Sequence, residues 1–361
     1  MVSFDINNPI HLLAAWDLAK KAPSWLRDRY FPTNPATDIF NTDNVLIEIR
    51  NGERHIAPFV IPEVGGKFIT RSGYRAERIS PPFMGLKTKL TIDELKKKGF
   101  GEAYFANVSP EQRAQALLLR DMEEMEKRFV RTEELLCAKL LTENGYVLKH
   151  YGAESDDDVY QSYKISFNEG DDDKTAYVPA ANWTVDSKTI VDDIAAMIEQ
   201  LDDVGMPAED LIVSPEVANT LIKNTQIRDD IKTFSNYKLA PQGIEVKKLP
   251  NGVKEVMKLN VYGTMITVFS YSAKYLNPET GKEEAYIPKG TVVLTAPACG
   301  KMLYGAVTQM NAQKQFQTYA QNRVPKLISN EETETRYLRI GSRPVAVPAN
   351  VNPWVHAKVT A

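Results

Sequence analysis

Cysteine and histidine are scarce in this chain of 361 residues, which limits the chemistry it can perform. The two cysteines, Cys137 and Cys299, are too few for a disulfide framework, and both lie in apolar segments. We therefore expect small buried side chains rather than reactive thiols. The four histidines are scattered along the sequence, so no metal site is predicted. We expect neither a metal nor a cofactor.

Long apolar runs and a strong net charge are also missing. No segment approaches the roughly 18 apolar residues that a membrane span requires. The first 21 residues form a short amphipathic stretch with acidic residues inside it, unlike a signal peptide. The formal net charge of -3 gives no global attraction to nucleic acid or to anionic membranes. We expect a soluble, cytosolic chain with no membrane partner.

Motifs for catalysis are absent or incomplete, so we predict no catalytic residues and no enzyme. GGKF at 65–68 differs from a phosphate loop, because it lacks a glycine five positions before Gly66 and a Ser or Thr after the lysine. GFGEAYF at 99–105 lacks the third glycine of a dinucleotide fingerprint. The sequence contains neither a G-x-S-x-G nor an H-E-x-x-H pattern. The acidic runs at 156–158 and 171–173 lack the alternate spacing of a calcium loop and are read as solvated turns.

A long β-ribbon is the first distinctive feature that the sequence does contain. Apolar and polar residues alternate from about Val45 to Leu90, with a strong hairpin signal at Asn51-Gly52 and further turns at glycines and prolines. A lone two-stranded ribbon is marginally stable in water. Its stabilising contacts must therefore come from elsewhere.

The ribbon also carries a positive bias, for which three interpretations remain open. Its basic residues could bind nucleic acid, or they could form a solvated strand face with peripheral ion pairs. In the third interpretation they meet the acidic region 154–173 of another copy. The residues concerned are Lys67, Arg71, Arg75, Arg78, Lys87 and Lys89.

The strongest helix prediction covers residues 109–143. Ser109-Pro110-Glu111-Gln112 reads as an N-cap, a proline at the first helical position and a capping box, and Asn144-Gly145 ends the helix. Apolar residues recur at steps of three and four, whereas most charged ones, including Glu134, are assigned to other faces. At about 1.5 Å per residue the helix would be a rod of roughly 50 Å.

The rest of the chain alternates strands and helices. YVLKHYG and VYQSYKISFN predict a second hairpin, and a helix is expected over 188–204. A buried strand then leads into Ser214-Pro215 and another helix, and turns at Asn251-Gly252 and 278–281 separate later strands. The C-terminal segment TETRYLRIGSRPVAVPANVNPWVHAKV returns to strand patterning. No internal repeat is found.

In this order, these features resemble the lambda-type major capsid proteins of tailed bacteriophages, the major capsid protein E family. GGKFITRSGYRAERISPPFMGLKTKL is similar to the extended loop of the family, and DLIVSPEVANTLIKN to a strand and helix of its axial domain. YIPKGTVVLTAPACGKMLYGAV and the C-terminal segment resemble its later strands. The likeness covers nearly the whole chain.

The resemblance implies an α+β tailed-phage major capsid fold, divided into five segments. Residues 1–44 would form an N-terminal arm and 45–95 an extended β-loop. Residues 96–184 would form a peripheral domain with the spine helix 109–143 and a β-hairpin. An axial α/β domain would follow over 185–310, and residues 311–361 would return to the peripheral strands.

The implied function is that of a major capsid protein, which forms pentamers and hexamers of an icosahedral shell around double-stranded DNA. Further partners would be a separate scaffolding protein, a portal and, in some phages, a decoration protein; the DNA would be bound non-specifically. The protein would be assembled in the host cytoplasm and end in the virion. Contacts between subunits are expected from loop and arm residues, namely Lys67, Arg71, Tyr74, Arg75, Arg78, Trp25, Tyr30 and Phe31.

Two other classes of protein remain open at this stage. A cellular nanocompartment shell would share the fold and would differ in its cargo. An α/β enzyme could use the ribbon as a lid, but it would need a convergent polar site.

Overall fold

The structure is a computed structural model that describes residues 24–50, 74–91, 110–151, 159–168, 173–234, 249–250, 252–311, 314–330 and 335–360. The helices in these ranges are α1 Leu26–Tyr30, α2 Pro110–Glu143, α3 Ile190–Val204, α4 Pro215–Lys223 and α5 Thr225–Phe234. The first strands are β1 Val45–Arg50, β2 Tyr74–Ile79, β3 Met84–Leu90, β4 Gly145–Tyr151, β5 Val159–Ser166, β6 Ala176–Tyr177, β7 Asp210–Val213, β8 Val253–Val261 and β9 Thr264–Tyr271. The remaining strands are β10 Lys274–Leu276, β11 Glu283–Ala285, β12 Thr291–Thr295, β13 Gly300–Tyr304, β14 Val307–Met310, β15 Phe316–Tyr319, β16 Val324–Asn330, β17 Thr335–Ser342, β18 Pro344–Pro348 and β19 Trp354–Lys358.

A six-stranded sheet with the order β6-β19-β12-β7-β9-β8 forms the largest layer. Two neighbouring pairs, β7–β9 and β19–β6, are parallel, and the others are antiparallel. Every residue of the central strands β7 and β12 is buried. Both faces of the sheet are therefore covered, which explains why these strands read as continuous apolar runs.

Alternate residues of the sheet feed two separate cores. Leu211 and Val213 point into the cluster formed with α3 and α4, whereas Ile212 between them joins the cluster on the opposite face. Helix α3 contributes a stripe at helical spacing to the first cluster: Ile190, Ile194, Met197, Ile198 and Leu201. It ends at Gly205, whose φ of +77° is readily adopted only by glycine.

The predicted spine helix is confirmed as α2, and the length of its 34 residues is about 50 Å at 1.5 Å per residue. Its first half packs on the three-stranded sheet β16-β17-β3 through Leu118, Met122, Met125 and Phe129. Its second half, with Leu136 and Leu140 among others, enters the core beneath the six-stranded sheet. One helix therefore joins two packed units.

Other local predictions are also confirmed. The second hairpin forms from β4 and β5, and the helix expected over 188–204 is found at Ile190–Val204. Ser214 and Pro215 precede and begin α4 as expected, although Ser214 Oγ makes no capping hydrogen bond within the helix. That hydroxyl accepts a hydrogen bond from the backbone N–H of Gly290 instead, at 3.1 Å.

Strand pairing crosses the predicted segment boundaries. The six-stranded sheet takes β6 from the segment 96–184 and β19 from the segment 311–361, although both were expected in the peripheral part. Alternating apolar patterns predict that a strand exists, but they do not name its partner. The segment boundaries themselves stay predictions.

Candidate subunit-contact site

The candidate site is the place where the arm and the ribbon join the body of the subunit. The arm reaches it through the short helix α1, and the ribbon through the pair β1–β2. Helix α1 packs against the second half of the spine helix α2, and Val45 and Ile47 of β1 enter the same apolar core as that half of the helix. Three groups of polar contacts hold this junction.

A buried carboxylate of the spine helix holds the start of α1. Glu134, which is 4% exposed, accepts hydrogen bonds from the backbone N–H groups of Leu26 (2.9 Å) and Arg27 (3.1 Å). The hydroxyls of Ser24 and Tyr271 donate to the same carboxylate, the latter at 2.6 Å. N–H groups in the first turn of a helix lack partners within the helix, and negative charge is favourable there. Glu134 therefore fixes the position where the arm enters.

A second group of contacts is a buried ion-pair network around Glu133. Arg27 Nη1 lies 2.8 Å from one carboxylate oxygen of Glu133, and Arg323 Nη1 lies 2.7 Å from the other. The hydroxyl of Tyr304 donates to Glu133 at 3.0 Å, and Arg323 Nε also pairs with Glu126 at 3.0 Å. The network joins α1, the spine helix, β13 and the start of β16.

The charges of the two arginines determine the protonation state of Glu133. Burial acts to raise the pKa of Glu133, but the charges of Arg323 and Arg27 and their hydrogen bonds outweigh it and hold the pKa below its ordinary value. Glu133 is therefore ionised at neutral pH. Because it is fully buried, its negative charge depends on both arginines.

The third group of contacts joins α1 to the six-stranded sheet. Arg29 makes a bidentate pair with Asp210 at the first position of β7, with distances of 2.6 Å from Nε and 3.0 Å from Nη2. The hydroxyl of Tyr30 donates to the same carboxylate at 3.0 Å. A bidentate Arg–carboxylate pair adds geometric specificity to its energy. Helix α1 is thus fixed to both the spine helix and the sheet.

The structure places three of the predicted contact residues inside the subunit itself. Trp25 is 6% exposed, and Tyr30 and Phe31 are fully buried. Trp25 stacks on Tyr271 with 5.6 Å between ring centroids, and Phe31 lies 6.1 Å from Trp354. For these three residues the expectation of contact with a neighbour is corrected, because the aromatic part of the arm fills its own core.

The predicted ribbon is confirmed at its root, the pair β1–β2. The partner of β1 is not the strand that would directly follow a tight turn at Asn51-Gly52. β1 pairs antiparallel with β2, from Val45 opposite Ile79 to Arg50 opposite Tyr74. The predicted tight turn at Asn51-Gly52 therefore does not join β1 to this partner; it lies outside the described residues, as do the other residues from 51 to 73.

One face of the ribbon root is packed and the other is open. Val45 and Ile47 are buried in the core beneath the six-stranded sheet. Leu46, between them, is 46% exposed, and the Arg78 directly opposite it is exposed as well. The root is thus anchored, and its outer face combines an apolar and a cationic side chain.

The five predicted loop residues are located as follows. Arg78 lies on the open face of the root, and Tyr74 and Arg75 lie on the same strand, opposite Arg50 and Ile49. Lys67 and Arg71 lie outside the described residues. Tyr74, Arg75 and Arg78 thus all belong to strand β2.

Sequence reasoning missed the acidic residues that hold the junction. Glu134 was assigned to the polar face of the spine helix, yet it and Glu133 are buried. A usable signal was present, since both follow Phe129 and Val130 and precede Leu136 within a helix that is apolar on more than one side. Arg323, the partner of Glu133, and Asp210, the partner of Arg29, are too far from those residues in sequence to be found from spacing.

The described part of the chain shows neither a membrane helix nor a metal centre. None of the helices in the described ranges is both long enough and apolar enough to cross a membrane. Within the same ranges, no group of three or more His, Cys, Asp or Glu side chains is arranged to hold a metal ion. Cys137 and Cys299 are unpaired and buried, and burial raises the pKa of the Cys299 thiol to about 12.

The chain is similar to known phage proteins. A family model described as phage major capsid protein E matches residues 10–359. A protein described as a capsid protein of a prophage from E. coli CFT073 has a similar fold, with a TM-score of 0.66 and 19% identity, covering 98% of this chain and 99% of that one. The capsid of Ralstonia phage GP4 has a TM-score of 0.48 and 8% identity, covering 95% and 92%. No curated protein matches the sequence.

The prophage structure confirms the expected fold, because the likeness runs over almost the full length of both chains. At 19% identity this likeness concerns the fold alone. The family match covers nearly the whole sequence and confirms the expected function of a phage major capsid protein, a structural component of the virion. The chain therefore belongs to the phage major capsid protein E family.

Proposed function

We propose that the chain assembles with copies of itself into pentamers and hexamers of an icosahedral shell that encloses double-stranded DNA. The observation that carries this proposal is the ribbon root. β1 and β2 form a two-stranded sheet whose pairing extends as far as Arg50 opposite Tyr74. Residues 51–73 link the two strands. A two-stranded ribbon is marginal by itself. A neighbouring subunit supplies the surface on which it lies.

The ribbon contact is head-to-tail, with the ribbon of one subunit on the body of the next. Contacts of this kind close into rings when the rotation between subunits allows it, as in five- and six-membered capsomers. Lys67, Arg71, Tyr74, Arg75 and Arg78 are the residues that we assign to it. The exposed side of the root, with Leu46 opposite Arg78, is the described part of this surface.

The remaining partners follow from the capsid role. A separate scaffolding protein directs assembly in the host cytoplasm, a portal occupies one vertex, and some phages add a decoration protein. The packaged DNA is bound without sequence preference. The protein has a structural role and is not an enzyme.

The strand register of the root defines a deletion that removes the ribbon beyond Arg50 and Tyr74 and keeps both strands of the root. Removing residues 53–73 joins Arg50 to Tyr74 through the native Asn51-Gly52, a sequence that favours the two-residue turns of hairpins. The strands β1 and β2 and the buried Val45 and Ile47 are retained. We expect the variant to keep the melting temperature of the wild-type subunit and to form no shells by negative-stain microscopy and light scattering.

A point variant tests the open face of the root while the ribbon is kept. Arg78→Gln removes one exposed charge, and Lys258→Gln on β8 removes another at a comparable exposed position and serves as the control. We expect fewer shells from the first variant and wild-type numbers from the second. Shells of normal size from the deletion variant would contradict the proposed role of the ribbon. The DNA content of wild-type shells distinguishes a phage head from a compartment that holds protein cargo.

A further inference from the structure

Three cationic side chains stand in one row across the three-stranded sheet β16-β17-β3. Arg339 at the centre lies directly opposite Lys326 on one neighbouring strand and Lys87 on the other. Directly opposite residues share a face of a sheet. This face points away from the spine helix, because Leu338 and Ile340, which alternate with Arg339, pack on that helix. We call these three residues the cation row.

Within the described part of its own subunit, the cation row contacts uncharged groups. Among the residues that the structure describes, no carboxylate forms an ion pair with Lys87, Lys326 or Arg339. Lys87 Nζ lies 4.2 Å from the centroid of the Tyr337 ring, and Arg339 Nη2 donates to Gln309 at 3.1 Å. Both contacts are with uncharged groups, so the three positive charges are not neutralised there.

The row is unfavourable for the isolated subunit. Like charges directly opposite each other destabilise a sheet. Burial and the charge of Arg339 both lower the pKa of Lys326, as expected for an ammonium group crowded by a cation. In addition, Arg339 Nε is buried and has no hydrogen-bond partner among the described atoms. An anionic group from outside the subunit would offset all three effects.

The surroundings of the row favour a protein as the source of that anion. Phe83, 40% exposed, lies beside Arg339 with 6.0 Å between the guanidinium carbon and the ring centroid. Arginine beside an exposed aromatic side chain is typical of protein interfaces, whereas phosphate contacts rely on polar and cationic groups.

We propose that the cation row binds carboxylates of a second copy of this chain in the assembled shell. The inference rests on the proposed function, since it requires copies to pack against one another. The chain can supply the carboxylates, because it has 47 acidic residues against 44 basic ones, with two acidic runs at 156–158 and 171–173. The row thus acts as a cationic contact that is satisfied only between subunits.

Charge variants separate a role in assembly from a role in folding. Lys87→Gln and Lys326→Gln, singly and combined, remove repulsion inside the subunit, and Lys87→Glu can pair with Arg339 opposite it. We expect each melting temperature to equal or exceed that of the wild type. The concentration needed for half-maximal association should rise at least tenfold in the double variant and further in Lys87→Glu. It is measured by sedimentation velocity and by retention of untagged copies on a tagged one.

The control and the salt dependence complete the test. Lys258→Gln, which removes an exposed lysine outside the row, should associate like the wild type. Raising the salt from 0.05 to 0.3 M should weaken wild-type association through screening, and the double variant should respond less.

Two results would overturn the proposal. The first is unchanged association of the row variants while the wild type forms shells, which leaves the proposed function intact. The second is normal shells with a lower DNA content, which would make phosphate the partner. A wild-type chain that never associates, even with its scaffolding protein present, would refute the proposed function as well.

Discussion

At the scale of single residues, the junction depends on a few buried charges. Glu133 receives two guanidinium groups and a tyrosine hydroxyl, and the adjacent Glu134 receives backbone and hydroxyl donors. These two adjacent carboxylates point toward different partners, so each accepts hydrogen bonds from its own set of donors. Breaking a buried pair is costly because the remaining charge stays buried without compensation.

Replacing Glu133 by Gln tests this network through its dependence on pH. The folded-state pKa of Glu133 is lowered, so its stabilising effect is complete above the unfolded-state pKa of about 4.3 and is lost as the pH falls through the folded-state pKa. We expect Glu133→Gln to lose about 3–5 kcal/mol of unfolding free energy at pH 7. The difference from wild type should narrow below about pH 4, as measured by urea unfolding at each pH.

Glu124→Gln is the matched control for this prediction. Its side chain is 54% exposed and its pair with Arg120 is long, at 3.7 Å. Exposed pairs contribute little, so this variant should remain close to wild type across the whole pH range. A Glu133→Gln difference that stays constant from pH 7 to pH 3 would show that the charge of Glu133 is not what stabilises the junction.

At the scale of elements, the spine helix has two packed regions and an open side. Phe129 is 1% exposed in the cluster with the three-stranded sheet, and Arg323 stacks on its ring at 4.9 Å. Leu119, on the same helix, is 47% exposed. Two large apolar side chains on one helix should therefore respond very differently to truncation.

We expect Phe129→Ala to lower the unfolding free energy by about 3–5 kcal/mol, through lost burial and a residual cavity. Leu119→Ala should change it by less than about 0.5 kcal/mol, since the side chain is already exposed. Chemical denaturation of both variants measures the difference. Equal losses would mean that the first half of the spine helix is not held by the three-stranded sheet.

Local signals explain which elements were predictable from sequence. The spine helix and the β4–β5 hairpin follow from apolar periodicity and end signals that lie within each segment. Burial of Trp25 and Glu134, in contrast, depends on Tyr271, which lies more than 130 residues further along the chain. The same limit applies to the ribbon, whose existence was predicted while its pairing with β2 was not.

At the scale of the whole molecule, stability should be greatest in the middle of the six-stranded sheet. β7 and β12 are flanked by strands on both sides and are buried on both faces. The two-stranded sheet β10–β11 has exposed residues, among them Leu276 at 67%. Buried central strands open only with the global transition, whereas small peripheral sheets open locally.

Hydrogen exchange followed by mass spectrometry checks this distribution. Amide hydrogens of β7 and β12 should exchange at least a hundredfold more slowly than those of β10–β11, a ratio that corresponds to a difference of about 2.7 kcal/mol in opening free energy. Similar rates in both regions would show that the sheet does not form the most stable unit. The α3–α4 side should be intermediate, because its helices pack on the sheet from one face only.

Strand order in the sheet is the part of the molecule least accessible to sequence reasoning. The pairing of β12 with β7 and β19 joins segments separated by many tens of residues, and nothing in their local patterns selects these partners. The burial of β7 and β12 was predictable from their apolar runs. The assignment of β6 and β19 to this sheet was not predictable from their local patterns.

The position of β19 also has a consequence for synthesis. β19 is the last strand in chain order, yet it lies between β6 and β12 inside the sheet. While residues 354–358 are still within the ribosome, β12 lacks one neighbour and Trp354 is missing from the core. Domains generally fold as units during translation. A nascent capsid chain therefore completes its six-stranded sheet only after residues 354–358 have left the ribosome.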